Sequence, residues 1–407
     1  MAHKPLIAVE WSLVFIEKLR FGQPVTMRIR LGSILRYSLT VTVLGLLGAY
    51  ALWTDWRPDA HYLSDLRSEV ALNHGQPGER GNLLGIQPEM FSGDYHSTEL
   101  LRLKLGAYLH KARAEGLLNA RTVAVLPEHI GTWLVISDEK AEVYQAQTID
   151  SAMLWLAASN PLKLTRALIA ARGHDRLQDA LLRMKSEAMA RDYQAVFGGL
   201  AKDFGITLVA GSIVLPEPRV ENGTLLVGDG PLYNVSLVFG SDGAPLGQPQ
   251  RKVFPIVDEQ AFTAAGSAEQ LQVVDTPAGR LGVLICADSW YPDGYAALGK
   301  QGVQLLAVPA FLTGNGNWSK SWGGYNGAPT PADVSLKAGD VSEGQAWQQL
   351  AMAGRLPASG ATAGLTVFMR GHLWNLGSDG QSLLRSDDQV SLVEPGGHGG
   401  RLLNIWL

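Results

Sequence analysis

Three short segments hold residue types that covalent chemistry needs. Val125-Leu126-Pro127-Glu128 sets a carboxylate just beyond a short apolar run. Arg251-Lys252-Val253-Phe254-Pro255 is followed by Asp258 and Glu259. Residues 282–293, GVLICADSWYPD, carry the chain's single cysteine, Cys286, at the end of another apolar run. A thiolate is a strong nucleophile, a carboxylate can take the thiol proton, and a nearby ammonium favours the thiolate and an oxyanion. Taken singly, each residue also has an ordinary reading: a solvated Glu, a surface Lys, an inert core thiol. Other chemistries find less support. There is no Gly-x-Ser-x-Gly elbow, no phosphate-binding glycine fingerprint, and no pair of the nine histidines at zinc spacing, so neither a metal nor a cofactor is expected. His129 is expected to point to the opposite face from Glu128.

In this order and spacing the three segments resemble the nitrilase, or carbon–nitrogen hydrolase, superfamily. The Cys-x-Asp-x-x-Tyr-Pro-Asp run from Cys286 to Asp293 carries most of the resemblance. Leu126-Pro127-Glu128 and Arg251-Lys252 match the other two motifs, and Gly85-Ile86-Gln87, Ala210-Gly211-Ser212 and Tyr233-Asn234 echo the family elsewhere. The resemblance covers roughly residues 81–407 and implies a four-layer αββα sandwich. It also implies a Glu128–Lys252–Cys286 triad acting on an amide or nitrile, and dimerisation through helical faces. Glu259 is expected to support Lys252, and the Ala287 N–H to serve as a second oxyanion donor. Two departures bear on substrate: Ala287 stands where an aromatic residue is common, and Trp290 where a basic one is frequent. Trp290, Trp318 and Trp322 are expected to wall the pocket, the last two from the Gly-rich loop at 311–327.

The elements that must position these residues alternate strand and helix. Strands are expected at 82–87, 122–126, 206–214, 233–239, 281–286, 303–309 and 362–369, with a hairpin at Gly377-Ser378-Asp379-Gly380 and helices at 97–115, 187–204 and 343–354. Between Glu128 and the helix starting near 187 lies a long helical insertion, about 135–186, read either as ordinary packing on the sheet or as a lid or membrane-facing flap. The chain has 407 residues, 46% of them apolar and only 18% charged, with a net charge of −4. That composition supports a large core and argues against nucleic acid as a partner.

The first eighty residues read differently. Residues 37–53, YSLTVTVLGLLGAYALW, carry no charge. Lys4, Lys18, Arg20, Arg28, Arg30 and Arg36 precede them against Glu10 and Glu17. This bias predicts a cytoplasmic segment 1–36, a transmembrane helix 37–53, a linker 54–80 and an exported domain 81–407. The chain would then sit in the cell inner membrane as a single-pass protein facing the periplasm. Two other readings of the triad stay open: transfer of the Cys286-bound acyl group to an amine, and a non-catalytic membrane-anchored binding protein.

Overall fold

The structure, a computed structural model, describes residues 31–57 and 62–407. The segment expected in the cytoplasm lies outside the described residues up to residue 30. Contacts divide the chain after Asp55 into two units. The first contains helix α1 (Leu31–Asp55), longer than the expected 37–53 at both ends. Its stretch Ile34–Asp55 is long and apolar enough to cross a membrane, with mean hydropathy 1.4 and none of it buried in protein. At 1.5 Å per residue its 25 residues reach roughly 37 Å. Ser38 and Thr40 turn their hydroxyls back onto the carbonyls of Leu35 and Arg36, which hides polar groups from an apolar surrounding.

The second unit is built on two six-stranded sheets. In the first, Asn82–Gln87, Thr122–Val125 and Thr207–Val209 run parallel, with Val238–Phe239 at one edge and Gly400–Trp406 and Ser68–His74 at the other. In the second, Gly279–Val283, Leu305–Ala310 and Ala363–Phe368 run parallel, flanked by Val274–Thr276, Leu383–Ser386 and Gln389–Leu392. Side chains alternate across a strand, and both faces here are buried, which is why these strands read as continuous apolar runs. Leu83, Val123, Val125 and Val209 of the first sheet meet Leu281, Val283, Ala307 and Leu365 of the second in one core. On the outer face of the first sheet, Leu84, Ala124 and Leu208 pack with helix α2 (Thr98–Ala114). Leu306 and Val308 of the second pack with Tyr295 and Leu298 of the helix Pro292–Lys300. The layers are therefore α, β, β, α.

The insertion consists of α3 (Ala141–Gln145), α4 (Ile149–Ser159), α5 (Pro161–Ala170) and α6 (Arg176–Arg183), before α7 (Ser186–Tyr193). Its two ends are pinned together: Glu139 is buried and accepts from Lys185 Nζ at 2.8 Å and from Asn160 Nδ2 at 3.0 Å. Asn160, which precedes α5, spends its side chain on Glu139 and on the Leu156 carbonyl and makes no cap to that helix.

Several expected boundaries shift for identifiable reasons. The stretch 54–80, read as linker, contains the edge strand Ser68–His74, whose half-exposed SEVALNH has no apolar alternation to announce it. The run 206–214 is two strands in two sheets. Gly211, at φ +63°, turns the chain out of Thr207–Val209 and into Ile213–Pro216, which joins Leu232–Ser236 and Gln250–Arg251 in a three-stranded sheet. Residues 233–239 divide likewise between this small sheet and the first large one. The expected turn at 377–380 is displaced: Gly377 and Ser378 lie in a strand paired with Arg370–Leu373, and the chain reverses at Trp374, φ +56°.

Gly211 is where fold and site meet. A Cβ there would lie 2.0 Å from the Pro127 carbonyl oxygen, one residue before Glu128, and its positive φ is unfavourable for other residues. Gly211→Ala should therefore cost more than about 2 kcal/mol. Urea unfolding of the variant beside the parent chain measures this, and an unchanged midpoint would contradict the packing described.

Candidate active site

Each sequence-singled residue stands where a strand runs out. The first strand's ladder ends with the Leu126 N–H on the Val209 carbonyl, Pro127 offers no donor, and Glu128 turns inward, 2% exposed. The loop behind it is held from the Ala210-Gly211-Ser212 segment: Ser212 Oγ accepts from the His129 N–H at 2.8 Å, and the Ser212 carbonyl from the Gly131 N–H at 2.9 Å. Lys252 follows the edge strand Gln250–Arg251, its N–H on the Asn234 carbonyl at 2.8 Å. Cys286 follows Gly279–Val283 at φ +49° and opens a one-turn helix, Cys286–Trp290. Such a φ is strained for a residue with a side chain, and it lifts the thiol out of the strand line.

The structure brings Glu128, Lys252 and Cys286 into the wall of one cavity. Lys252 Nζ donates to Glu128 Oε1 at 2.8 Å and to Glu259 Oε2 at 2.5 Å. Asn234 Nδ2 bridges the same carboxylates, at 2.9 Å to Glu128 and 3.0 Å to Glu259. Burial alone would lower the Lys252 pKa, but Glu128 and Glu259 together raise it well above the ordinary lysine value. Burial likewise opposes ionisation of Glu259, and Lys252, aided by His129, overrides it and holds that carboxyl well below the usual range. Cys286 goes the other way. Burial and then the Glu128 charge push its thiol well up, and Lys252, pulling down, does not compensate. Lys252 thus acts in the expected direction, toward the thiolate, but burial outweighs it; Sγ is directed at the Phe311 carbonyl at 3.6 Å.

Asp288 joins the Cys286 turn to the Lys252 loop. Its Oδ1 accepts from the N–H groups of Val253 (2.9 Å) and Phe254 (2.8 Å), and its Oδ2 from that of Ile285 (3.2 Å). Burial pushes this carboxyl up to about 7, against the pull of the same N–H groups and of Lys252. Ala287 is the second residue of the one-turn helix, where the early N–H groups lack partners within the helix, and it lines the cavity.

Trp290 and Trp322 do wall the cavity, with rings stacked at 6.0 Å between centroids. Trp318 does not. It is buried edge-on against Phe368 and over Gly344, where a Cβ would lie 2.4 Å from its Nε1. Trp347, from the helix Glu343–Leu350, which sequence reading left unassigned, lies edge-on to Trp290, as does Tyr325, and both line the cavity. His129 also departs from expectation. At φ +61° its ring turns toward the carboxylates, with Nε2 3.6 Å from Glu259 Oε1. Asn234 appeared by sequence only as an echo; its signal was a polar residue inside an otherwise apolar strand, a position that must find buried partners. Glu128, His129 and Glu259 could offer three ligand atoms to a metal, all within 4.8 Å of one another. The Lys252 ammonium is already hydrogen-bonded to both carboxylates, so a cation there would have to displace it.

A carbon–nitrogen hydrolase family model matches residues 180–346. That stretch includes Lys252, Glu259 and Cys286, whereas Glu128 precedes it on the far side of the insertion. The chain is similar to nitrilase 2 of Arabidopsis thaliana, 32% identical over 126 residues that make up 28% of this chain and 37% of that protein. It is also similar to an omega-amidase of Danio rerio, 33% identical over 143 residues, 33% of this chain and 47% of that protein. The chain thus spans less than half the length of these relatives. A solved amidase from Nesterenkonia sp. AN1 aligns at 17% identity over 82% of this chain and 93% of its own, with a TM-score of 0.47. Residues 180–346 thus match a carbon–nitrogen hydrolase domain, and the relatives named are a nitrilase and an amidase.

The Asp288 arrangement makes one outcome specific. In Asp288→Asn an amide N–H₂ replaces Oδ2 and faces the Ile285 N–H, leaving a buried donor unpaired at a cost of about 1–3 kcal/mol. The variant should unfold at a lower temperature than the parent, and iodoacetamide should modify Cys286 at a changed rate. Parent-like values for both would show that Asp288 does not hold the turn.

Proposed function

We propose that this chain hydrolyses the C–N bond of a non-peptide amide, or a nitrile, through a thioester or thioimidate on Cys286. The observation that carries the reading is the convergence of Cys286, Glu128 and Lys252, from three separated segments, on one cavity. An amide's nitrogen is a poor leaving group, so the reaction needs both a strong nucleophile and a proton for the departing amine. In this mechanism Glu128 takes the thiol proton as sulfur attacks the carbonyl carbon. Burial pushes the thiol pKa up, so in this mechanism proton transfer to Glu128 accompanies attack. Lys252 and the Ala287 N–H stabilise the oxyanion. Glu128 returns its proton to nitrogen as the C–N bond breaks and the amine leaves. It then removes a proton from water, whose oxygen attacks the thioester and releases the acid and the thiol. Glu259 and Asn234 are positioning residues: they keep Lys252 charged and aimed.

We further propose that α1 is an uncleaved single-pass anchor, with the catalytic unit on the periplasmic side. Its apolar length, its lack of protein cover and the basic residues before it support that arrangement.

Incubation with a panel of amides and nitriles should give an acyl adduct on Cys286 in the mass spectrum, released by water. Cys286→Ala should retain its fold and lose at least about a thousandfold in turnover, as loss of a nucleophile does. Turnover in Cys286→Ala would end the assignment. An adduct released only by an added amine would point to acyl transfer. Full-length protein should also stay in the membrane pellet after a carbonate wash, and a reporter after Leu407 should be active only outside the cytoplasm. Cytoplasmic reporter activity would refute the orientation.

A further inference from the structure

The proposed reaction leaves the acyl group of the substrate open, and the walls of the cavity bear on it. The cavity holds about 490 Å³, room for a good deal more than a reacting amide group. Rings of Trp290, Trp322, Tyr325 and Trp347 form one part of its lining. They brace one another, with Trp322 and Tyr325 edge-on at 5.7 Å and Trp290 and Trp347 edge-on at 4.9 Å. A second part comes from the insertion, through Ile149 and Met153 of α4 and Leu181 and Leu182 of α6. Both are apolar surfaces.

The charged groups of the lining are unevenly divided. Four carboxyls face the cavity: Glu128, Asp258, Glu259 and Glu343. Against them stand Lys252, which is hydrogen-bonded to two of the four, and His129, whose ring lies 3.6 Å from Glu259. Among the described residues, Asp258 and Glu343 have no salt-bridge partner, and the lining contains no further lysine or arginine. Burial raises the Glu343 carboxyl above its usual range, which softens that charge without supplying a cation. A carboxylate on a substrate would enter a site with an excess of acids and no free cation to meet it. An uncharged apolar group would meet rings and aliphatic side chains.

We infer that the cavity selects amides or nitriles whose acyl portion is bulky, apolar and uncharged, and excludes those bearing a carboxylate. This rests on the reading of Cys286 as the group that meets the substrate, and it assigns a specificity role to the insertion and to Trp347.

Alkylation of Cys286 tests selection without requiring turnover, and as the sole cysteine it gives an unambiguous adduct by mass. Full-length protein is treated with iodoacetamide, iodoacetate or N-phenyl iodoacetamide, each rate being divided by that for 2-mercaptoethanol. After this normalisation iodoacetate should be at least about tenfold slower than iodoacetamide, and the phenyl reagent severalfold faster. Glu343→Gln, and separately higher ionic strength, should narrow the iodoacetate gap. Among substrates, each added methylene in a straight-chain amide should raise kcat/KM roughly fourfold until the cavity is full. Iodoacetate matching iodoacetamide, or a phenyl reagent slower than both, would overturn the inference. A chain that hydrolyses succinamate as well as hexanamide would overturn it too while leaving the hydrolase reading intact. One that hydrolyses nothing yet keeps the alkylation preferences would do the reverse.

Discussion

One buried ammonium sets the terms for the rest of the site. Lys252 is almost without solvent, and an ion taken out of water costs several kcal/mol unless other charges and dipoles replace the hydration. Two carboxylates do so, from segments on either side of it in sequence, and each carboxylate has demands of its own. Asn234 donates to both, and the Ile256 N–H donates to Glu259 at 3.0 Å. Removing any one partner would leave a buried charge short of a neighbour, which is far more costly than the intact cluster is stabilising. The small three-stranded sheet makes the arrangement possible, because it holds Asn234 in its middle strand and Lys252 just past its edge.

The sulfur is treated in the opposite way. The two carboxylates beside Lys252 raise its pKa and Lys252 lowers that of Glu259, while burial in the same surroundings pushes the Cys286 thiol up. The turn that presents the thiol has a positive φ at Cys286, and it is held by Asp288, whose Oδ1 accepts from the N–H groups of Val253 and Phe254 while its Oδ2 accepts from that of Ile285. The Cys286 turn and the Lys252 loop are thus hydrogen-bonded together, although 33 residues of chain separate Cys286 from Lys252.

The insertion adds apolar surface on more than one side. Ile149 and Met153 face the cavity, and Ala152 and Leu156 are in the core, yet Leu154, Leu162 and Ile169 remain 67%, 75% and 80% exposed. Consecutive residues on a helix point about 100° apart, so a run such as Met153-Leu154-Trp155-Leu156 cannot be buried by one neighbour. Its cavity-facing side is what bears on substrate choice. The Glu139–Lys185 pair closes its root, so these helices leave and rejoin the sandwich at nearly one point.

Some of this was legible from residues alone. Buried parallel strands are short apolar runs ended by glycine or proline, so Asn82–Gln87 and Thr122–Val125 were recognisable in place, and the helix expected at 97–115 forms as Thr98–Ala114, capped by Ser97. Glu128, Lys252 and Cys286 were singled out by residue type and order, and the fold brings all three to one cavity wall. What sequence could not carry was direction and partnership. The turn at Gly211 splits one apolar run between two sheets, and no local pattern marks that division. His129 points at the carboxylates, not away, because a positive φ reverses the alternation a strand would impose. Trp318 and Trp347 are both tryptophans near the same loop and helix, and only packing decides that the first is core and the second cavity wall. Whether Cys286 rests as thiol or thiolate depends on burial and on two opposite charges at short range, quantities that exist only once distant segments have been brought together.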